Sequence, residues 1–321
     1  MKKFIYKYLF ILGTPVTYFA SVWLKFALKK NIWVKIEDNI FSHVGILPVL
    51  DHYYQPLVHP KKHLKKSLRD DRVLPGLDMN VQEQLDILAE FDYAHELLEF
   101  PVNKKREIGE VEFFYNNGFY QAGDAEYLYN MVRHFKPGKI IEIGSGNSTL
   151  MAKNAIDKNK SEDKNYQCQH ICIEPYEIPW LETKNVTVIR NKVEDIDIAF
   201  FQQLESNDIL FIDSSHIIRP QGDVLFEYLE ILPILKAGVI VHIHDIFTPK
   251  DYLDEWIFKL HLLWNEQYLL EAFLSFNEKF KIIGATNYLS HNYLSEFSAK
   301  CPVFAQQPGT EPAAFWMKKI S

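Results

Sequence analysis

KIIEIGSGNSTLMAKNAI, residues 139–156, reads as a short strand, a glycine turn and a helix in succession. Ile140, Ile141 and Ile143 form an apolar β-branched run, too short for a helix and bounded by glycines. Gly144 and Gly146 free the backbone for a tight turn and for the close approach of a ligand. Glu142 sets a carboxylate beside the turn, and Ser145, Asn147 and Ser148 add polar groups as the helix opens. The third glycine of the dinucleotide fingerprint is missing, with Thr149 in its place. A Gly-x-Gly alone also fits an ordinary strand-to-helix turn, so the weight falls on its surroundings.

Toward the C-terminus the pattern alternates. HICIEP (170–175), VTVIRN (186–191), DILFID (208–213) and GVIVHIHD (238–245) are apolar runs of strand length. DVLFEYLEILPIL (223–235) and NEQYLLEAFLSF (265–276) are helical, KIIGATNYL (281–289) reads as a strand, and AAFWMKKI (313–320) as a last strand. On the N-terminal side, Asp124 reads as the N-cap of a helix over AEYLYNMVRHF, stopped by Pro137-Gly138. Strands alternating with helices imply βαβ units and a mostly parallel sheet. Such a sheet binds ligands beyond the carboxyl ends of its strands, and polar residues collect at those ends.

Glu174 closes the second run, about thirty residues after the turn, where an acid can take both hydroxyls of a ribose. Val193-Glu194-Asp195 follows the third run and reads either as a holder for an adenine edge or as a plain acidic loop. The acidic glycine turn, the ribose acid and this loop resemble class I S-adenosylmethionine-dependent methyltransferases over the last two-thirds of the chain. The resemblance implies S-adenosylmethionine as cofactor, contacted by Glu142, Gly144, Ser145, Gly146, Asn147, Ser148, Glu174, Glu194 and Asp213. The fold it implies is a doubly wound, Rossmann-like α/β sheet with an antiparallel last strand, over residues 123–321.

The fourth and fifth runs end in Asp213-Ser-Ser-His216 and His242-Ile-His244-Asp245. Asp213 and Asp245 are hard oxygen ligands suited to Mg²⁺ or a similar ion. His216 can take a proton from a hydroxyl. His242, deeper in its strand, reads as a core histidine. The Asp-x-x-His and the pair ending in Asp resemble the sugar O-methyltransferases related to the macrocin and mycinamicin enzymes. That likeness implies His216 and Asp213 as catalytic residues and Asp213, His244 and Asp245 as metal ligands. It also implies a sugar or glycan-precursor hydroxyl as acceptor. The pair is acidic in both positions in those enzymes; here His244 replaces the first acid and favours softer ions. Trp264-Asn265-Glu266-Gln267-Tyr268 reads as acceptor-pocket lining or helix capping, and Arg219 as a contact for an anionic acceptor or a surface charge.

Two other classes fit parts of the pattern. A nicotinamide-dependent oxidoreductase uses a similar turn and ribose acid but has no need of the Asp-x-x-His and His-Asp ends. A non-catalytic cofactor- or glycan-binding relative is the other. The net charge of −7 over 321 residues lacks the basic field of a nucleic-acid binder, so no nucleic-acid partner is expected. Cys168, Cys172 and Cys301 fit neither a disulfide framework nor a four-thiolate zinc site.

The N-terminus departs from this soluble composition. Tyr8 to Leu24 carries no charge, between Lys2, Lys3 and Lys7 and Lys25, Lys29 and Lys30. A spanning helix needs roughly 20 apolar residues and Pro15 favours a kink, so residues 4–28 are expected at a membrane surface. A cleaved signal and a helix packed on the protein's own body are the other readings. The chain thus divides into a hydrophobic segment (1–30), an extension or cap (31–122) containing an amphipathic helix near Val81–Leu97, and the sheet domain (123–321). A cytoplasmic catalytic domain at the inner membrane face is expected.

Overall fold

The computed structural model describes residues 2–30, 35–57, 59–104 and 111–321. It divides into two compact units, Met1–Lys66 with Ile257–Leu263, and Ser67–Trp256 with Trp264–Ser321.

The first unit holds helices α1 (Lys2–Lys30) and α2 (Lys35–Val44). α1 runs through Pro15. Large apolar side chains are exposed around its circumference, Ile5, Tyr6, Phe10, Ile11, Tyr18 and Trp23 among them. Its hydroxyls turn inward, with Thr14, Thr17 and Ser21 each donating to the carbonyl four residues earlier.

The second unit is built on one seven-stranded sheet in the order β3-β2-β1-β4-β5-β7-β6. The strands are β1 (Lys139–Ile143), β2 (Gln169–Ile173), β3 (Thr187–Ile189), β4 (Ile209–Ile212), β5 (Ile240–Ile243), β6 (Phe280–Ala285) and β7 (Phe315–Lys319). β1 to β5 pair in parallel, and β7 runs antiparallel between β5 and β6. This is the doubly wound, mostly parallel fold expected, with its antiparallel last strand. The order reverses between β1 and β4, which puts the switch point at the ends of these two strands.

Alternate residues of each strand feed two cores. Ile140, Ile209 and Ile240 join one face with Ala125, Leu128, Leu150 and Met151. Ile141, Ile143, Leu210, Ile212 and Ile243 join the other with Tyr228, Ile231 and Leu270. Helices α4 (Asp124–Phe135) and α5 (Asn147–Glu162) supply the first face. The second is covered by α6, which starts at Asp223–Phe226 and continues through a π turn to Ile234, and by α7 (Glu266–Leu274).

Three expectations change. The sheet-bearing unit begins at Ser67, not near Gly123. The reason is packing: α3 (Val81–Glu90) places Leu88 in the first core, and Gln84 accepts from Ala285 N at 2.7 Å. Arg72 pairs with Glu271 of α7. Asp124 is not a cap. Gly123 is the N-cap, at φ +89°, where an added Cβ would meet Pro312 at 2.7 Å. The Asp124 carboxylate instead accepts from Ala313 N, Ala314 N and the Thr286 hydroxyl. Finally, the strand expected over 281–289 ends at Ala285, and α8 (Thr286–Asn292) follows.

Glu126, in the first turn of α4, is wholly buried and accepts from Gly123 N, Val303 N and Phe304 N. Burial pushes its carboxyl up to about 7, against the three backbone donors. Folding therefore favours the protonated form, and its contribution is greatest below about 4.5 and is lost as pH rises through about 7. Urea unfolding of the wild type should accordingly lose more stability between pH 6 and pH 8 than that of Glu126→Gln. Equal losses in the two chains would show that Glu126 does not titrate in this range.

Candidate active site

The glycine turn is shaped by contact with the neighbouring strand. Gly144 has φ +77°, and a Cβ there would lie 2.1 Å from the Asp213 carbonyl oxygen. Only glycine lets the turn lie this close to the end of β4. Backbone bonds extend the sheet past its strands: Gly144 N donates to Ile173 O, Asp213 N to Ile143 O, and His244 N to Ile212 O.

Glu142 does not face the cleft expected of it. It is buried, and its oxygens take the Ser148 hydroxyl at 2.7 Å, lie 2.8 Å from His170 Nε2 and 3.6 Å from the Cys172 thiol. Glu142 and Ser148 thus bind each other and tie the turn down from below. A strand residue of this parity points into the layer under the loop. Asn147 opens α5 behind Gly146, and neither of them lines the cleft beyond the turn. Ser145 offers its backbone to Glu174, whose Oε2 accepts Ser145 N at 3.1 Å and whose Oε1 accepts Tyr176 N at 2.8 Å.

A cleft of about 380 Å³ opens here, lined by Gly144, Glu174, Glu194, Asp213, Ser215 and Arg219 with their neighbours. The ends of β1, β2 and β4 and the loop after β3 therefore meet at one cavity, as their sequence positions implied. Arg219 leans toward Asp223, 3.9 Å away, and is half exposed.

Beside the cleft lies a buried cluster of acids and imidazoles. His216 Nε2 is 3.3 Å from Asp213 Oδ1 and 3.5 Å from Asp245 Oδ2. His244 Nδ1 is 3.6 Å from both Asp213 Oδ1 and Asp245 Oδ1, and its Nε2 is 3.4 Å from Asp124 Oδ2. His216 Nδ1 lies 2.8 Å from Glu266 Oε2. His216 and Asp245 both sit in the left-handed backbone region, at φ +60° and +58°. Such positions cost energy outside glycine and gather where a site fixes them.

The charges of this cluster support one another. Burial would lower His216, but hydrogen bonds to Asp213 and Glu266 raise it well above the usual histidine range. Burial would also lower His244, and the charges of Asp245 and Asp213 raise it. Burial would raise Asp213, and the two imidazoles hold it below the usual carboxylate range. His242 is different. It is wholly buried, stacks on Phe211 at 3.9 Å, and burial with the nearby His244 keeps it well below the usual range. It is the core histidine that its depth in β5 suggested.

Of the three donors expected for a metal, Asp213 and Asp245 come together with His216, their atoms within 4.8 Å of one another, and His216 takes the place expected of His244 in that group. Asp213 Oδ1 and Asp245 Oδ2 lie 3.3 and 3.5 Å from His216 Nε2, the spacing of neighbours in a ligand shell about 2.1 Å in radius. Two members of the cluster escape sequence reading, Asp124 and the pairing of Glu266 with His216. Of the 264–268 segment, Glu266 and Gln267 are buried, so they line no open pocket, while the Trp264 ring packs 4.4 Å from the His216 ring.

Residues 141–246 match the family model described as a methyltransferase domain. An uncharacterized protein of Archaeoglobus fulgidus is 29% identical over 182 residues, covering 54% of this chain and 80% of that one. Among solved structures, an O-methyltransferase from Bacillus cereus in complex with SAH is 13% identical, with a TM-score of 0.32, over 78% of this chain and 94% of that one. The MycE methyltransferase from the mycinamycin biosynthetic pathway, in complex with Mg, SAH and mycinamycin VI, is 16% identical with a TM-score of 0.33, over 63% of this chain and 50% of that one. The matched stretch runs from β1 past Asp245 and takes in Asp213, His216, His244 and Asp245, while Asp124 and Glu266 lie outside it.

The two glycines of the turn should respond differently to a side chain. Gly144→Ala meets the Asp213 carbonyl and an unfavourable φ, and should cost at least about 2 kcal/mol. At Gly146 nothing lies within 4 Å of an added Cβ, so Gly146→Ala should cost about 1 kcal/mol or less. Chemical denaturation of both variants checks the order; equal costs would sink the contact argument.

Proposed function

We propose that this methyltransferase takes its methyl group from S-adenosylmethionine and gives it to a hydroxyl oxygen of a sugar or glycan precursor. The observation that carries the proposal is His216 Nε2, held between Asp213 and Asp245, with Asp213 lining the cleft bounded by Gly144 and Glu174. Glu174 keeps a lone pair on each oxygen after binding the backbone, enough to accept from ribose hydroxyls. Glu194 lines the same cleft, where an adenine edge would lie.

The sulfonium methyl is already activated, so the protein has to align it and take up a proton. The acceptor oxygen forms a bond to the methyl carbon, the carbon–sulfur bond breaks with its electron pair left on sulfur, and the hydroxyl proton passes to the cluster that His216 forms with the Asp213 and Asp245 carboxylates. Asp213, Asp245 and Glu266 surround the His216 imidazolium and stabilise it. A divalent ion bound by Asp213 and Asp245 would lower the pKa of the acceptor hydroxyl. The half-buried Trp256 and Trp264, ring centroids 5.0 Å apart, offer aromatic faces of the kind sugars stack upon.

S-Adenosylhomocysteine should bind and raise the melting temperature of the full chain, while NAD should not. His216→Ala should lower kcat at least about 100-fold, with the affinity for S-adenosylhomocysteine unchanged. A stabilising effect of NAD alone would replace the methyltransferase reading by the oxidoreductase one. EDTA with no effect on turnover would remove the metal from the scheme.

We also place α1 in the membrane, with the methyltransferase domain on the cytoplasmic side, where an acceptor on a lipid carrier is within reach. The helix Ile5–Lys29 is long and apolar enough to cross a bilayer, and none of it is buried. Apolar side chains on all sides favour a span over the surface-lying helix expected from Pro15. The full chain should resist alkaline carbonate extraction and require detergent. Recovery in the carbonate supernatant would rule out the span.

A further inference from the structure

The N-terminal part of the chain differs sharply in charge from the rest. Residues 1–66 hold eleven lysines and no arginine against three acids, a net charge of +8, while residues 67–321 carry −15. Such an asymmetry marks a segment that meets a polyanion or a membrane. Four of the lysines, Lys61, Lys62, Lys65 and Lys66, fall within six residues, and all four are exposed. Among the described residues, Lys61, Lys65 and Lys66 pair with no acid.

These lysines belong to an ordered loop. Asp51, one of the three acids, accepts from His59 N at 3.0 Å and from Lys62 Nζ at 2.8 Å, and lies 3.0 Å from His63 Nε2. The bonds bring residue 51 back to the single helical turn Pro60–His63. Between them Gln55 N donates to His52 O at 2.9 Å, and this tight turn presents Tyr53 and Tyr54 to solvent. The two rings stand edge to face, 5.1 Å apart, and are 86% and 83% exposed. Leu47 and Leu57 nearby in the chain are exposed as well.

At a lipid headgroup layer a tyrosine buries its apolar body and keeps its hydroxyl wet. Lysines beside it there meet anionic headgroups, and at physiological salt this attraction fades over about 8 Å, so the loop has to lie against the bilayer to gain from it. A nucleic acid fits the lysines but leaves Leu47 and Leu57 in water. Among the described residues, α1 is the one helix long and apolar enough to span a membrane. Residues 51–66 follow it and so emerge on the side of the methyltransferase domain, the cytoplasmic face where anionic lipids gather.

We propose that the loop Asp51–Lys66 is a second membrane-contact surface, which docks on an anionic bilayer face with Tyr53 and Tyr54 at headgroup depth and Lys61, Lys62, Lys65 and Lys66 against the lipid charges. The proposal rests on the placement of α1 in the bilayer.

Proteolysis of the full chain in nanodiscs tests it. One set of discs is phosphatidylcholine alone, the other an equimolar mixture of phosphatidylcholine and phosphatidylglycerol. Chymotrypsin cleavage after Tyr53, Tyr54 and Leu57 is followed by mass spectrometry, with a free reporter peptide as the standard for protease activity. Cleavage should be at least about tenfold slower in the anionic discs. At about 1 M NaCl, where the Debye length falls to about 3 Å, the two rates should converge. Lys61→Gln, Lys65→Gln and Lys66→Gln together leave the bond of Lys62 to Asp51 in place, and this variant should be cleaved at nearly the same rate in both discs. Equal rates for the wild type, or full protection of the triple variant in anionic discs, would overturn the proposal and leave the placement of α1 standing. A chain that enters neither kind of disc would remove the placement of α1 and the proposal with it.

Discussion

The ends of β1, β4 and β5 are locked in register by backbone bonds that continue one residue past each strand. Asp213 N reaches Ile143 O and His244 N reaches Ile212 O. Every functional group described above depends on that ladder. It sets the glycine turn against the Asp213 carbonyl, so the cleft has a floor of backbone with no room for a side chain. It also brings Asp213 and Asp245 to adjacent strand ends, where one imidazole can lie between them. Parallel pairing makes this possible, because all four strands that matter end on the same edge.

Above the ladder the chain gathers charge that it would otherwise avoid burying. Asp124, Asp213, Asp245 and Glu266 meet His216 and His244, and each acid has an imidazole within 3.6 Å. The environment sorts three histidines of one type into different states. His242, among Phe211, Tyr120 and Trp316, is pushed toward neutrality; His216 and His244, ringed by carboxylates, are pushed toward charge. The acids reach the cluster from α4, β4, β5 and α7, so it also braces four parts of the fold.

Much of this was legible in the sequence, because strand periodicity and the chain direction of a parallel sheet determine which residues reach its carboxyl edge. Glu174, Glu194, Asp213, His216, His244 and Asp245 follow from position alone. Side-chain direction beyond a strand end does not. Glu142 has a strand parity that turns it under the loop, toward His170 and Cys172 on β2, a pairing visible only once the register is known. Asp124 sits where a helix cap belongs, yet a glycine takes that place and frees the acid to bind residues 313 and 314 far along the chain. Glu266 looks like a helix-start acid, and only the turn of the backbone at His216 brings the ring to it. Each miss is a contact between residues distant in sequence, beyond the reach of any local pattern.

The placing of β7 has a consequence for synthesis. It follows all other strands in sequence but sits inside the sheet, between β5 and β6. As the chain leaves the ribosome, β5 is complete some seventy residues before its neighbour exists. Until then β5 is an open strand edge, and Asp124 lacks the backbone amides of 313 and 314. Open edges recruit other strands. The nascent protein would be most vulnerable to misassembly in that interval, and arrival of the last strand closes the edge and seats the acid beside His244 in a single step.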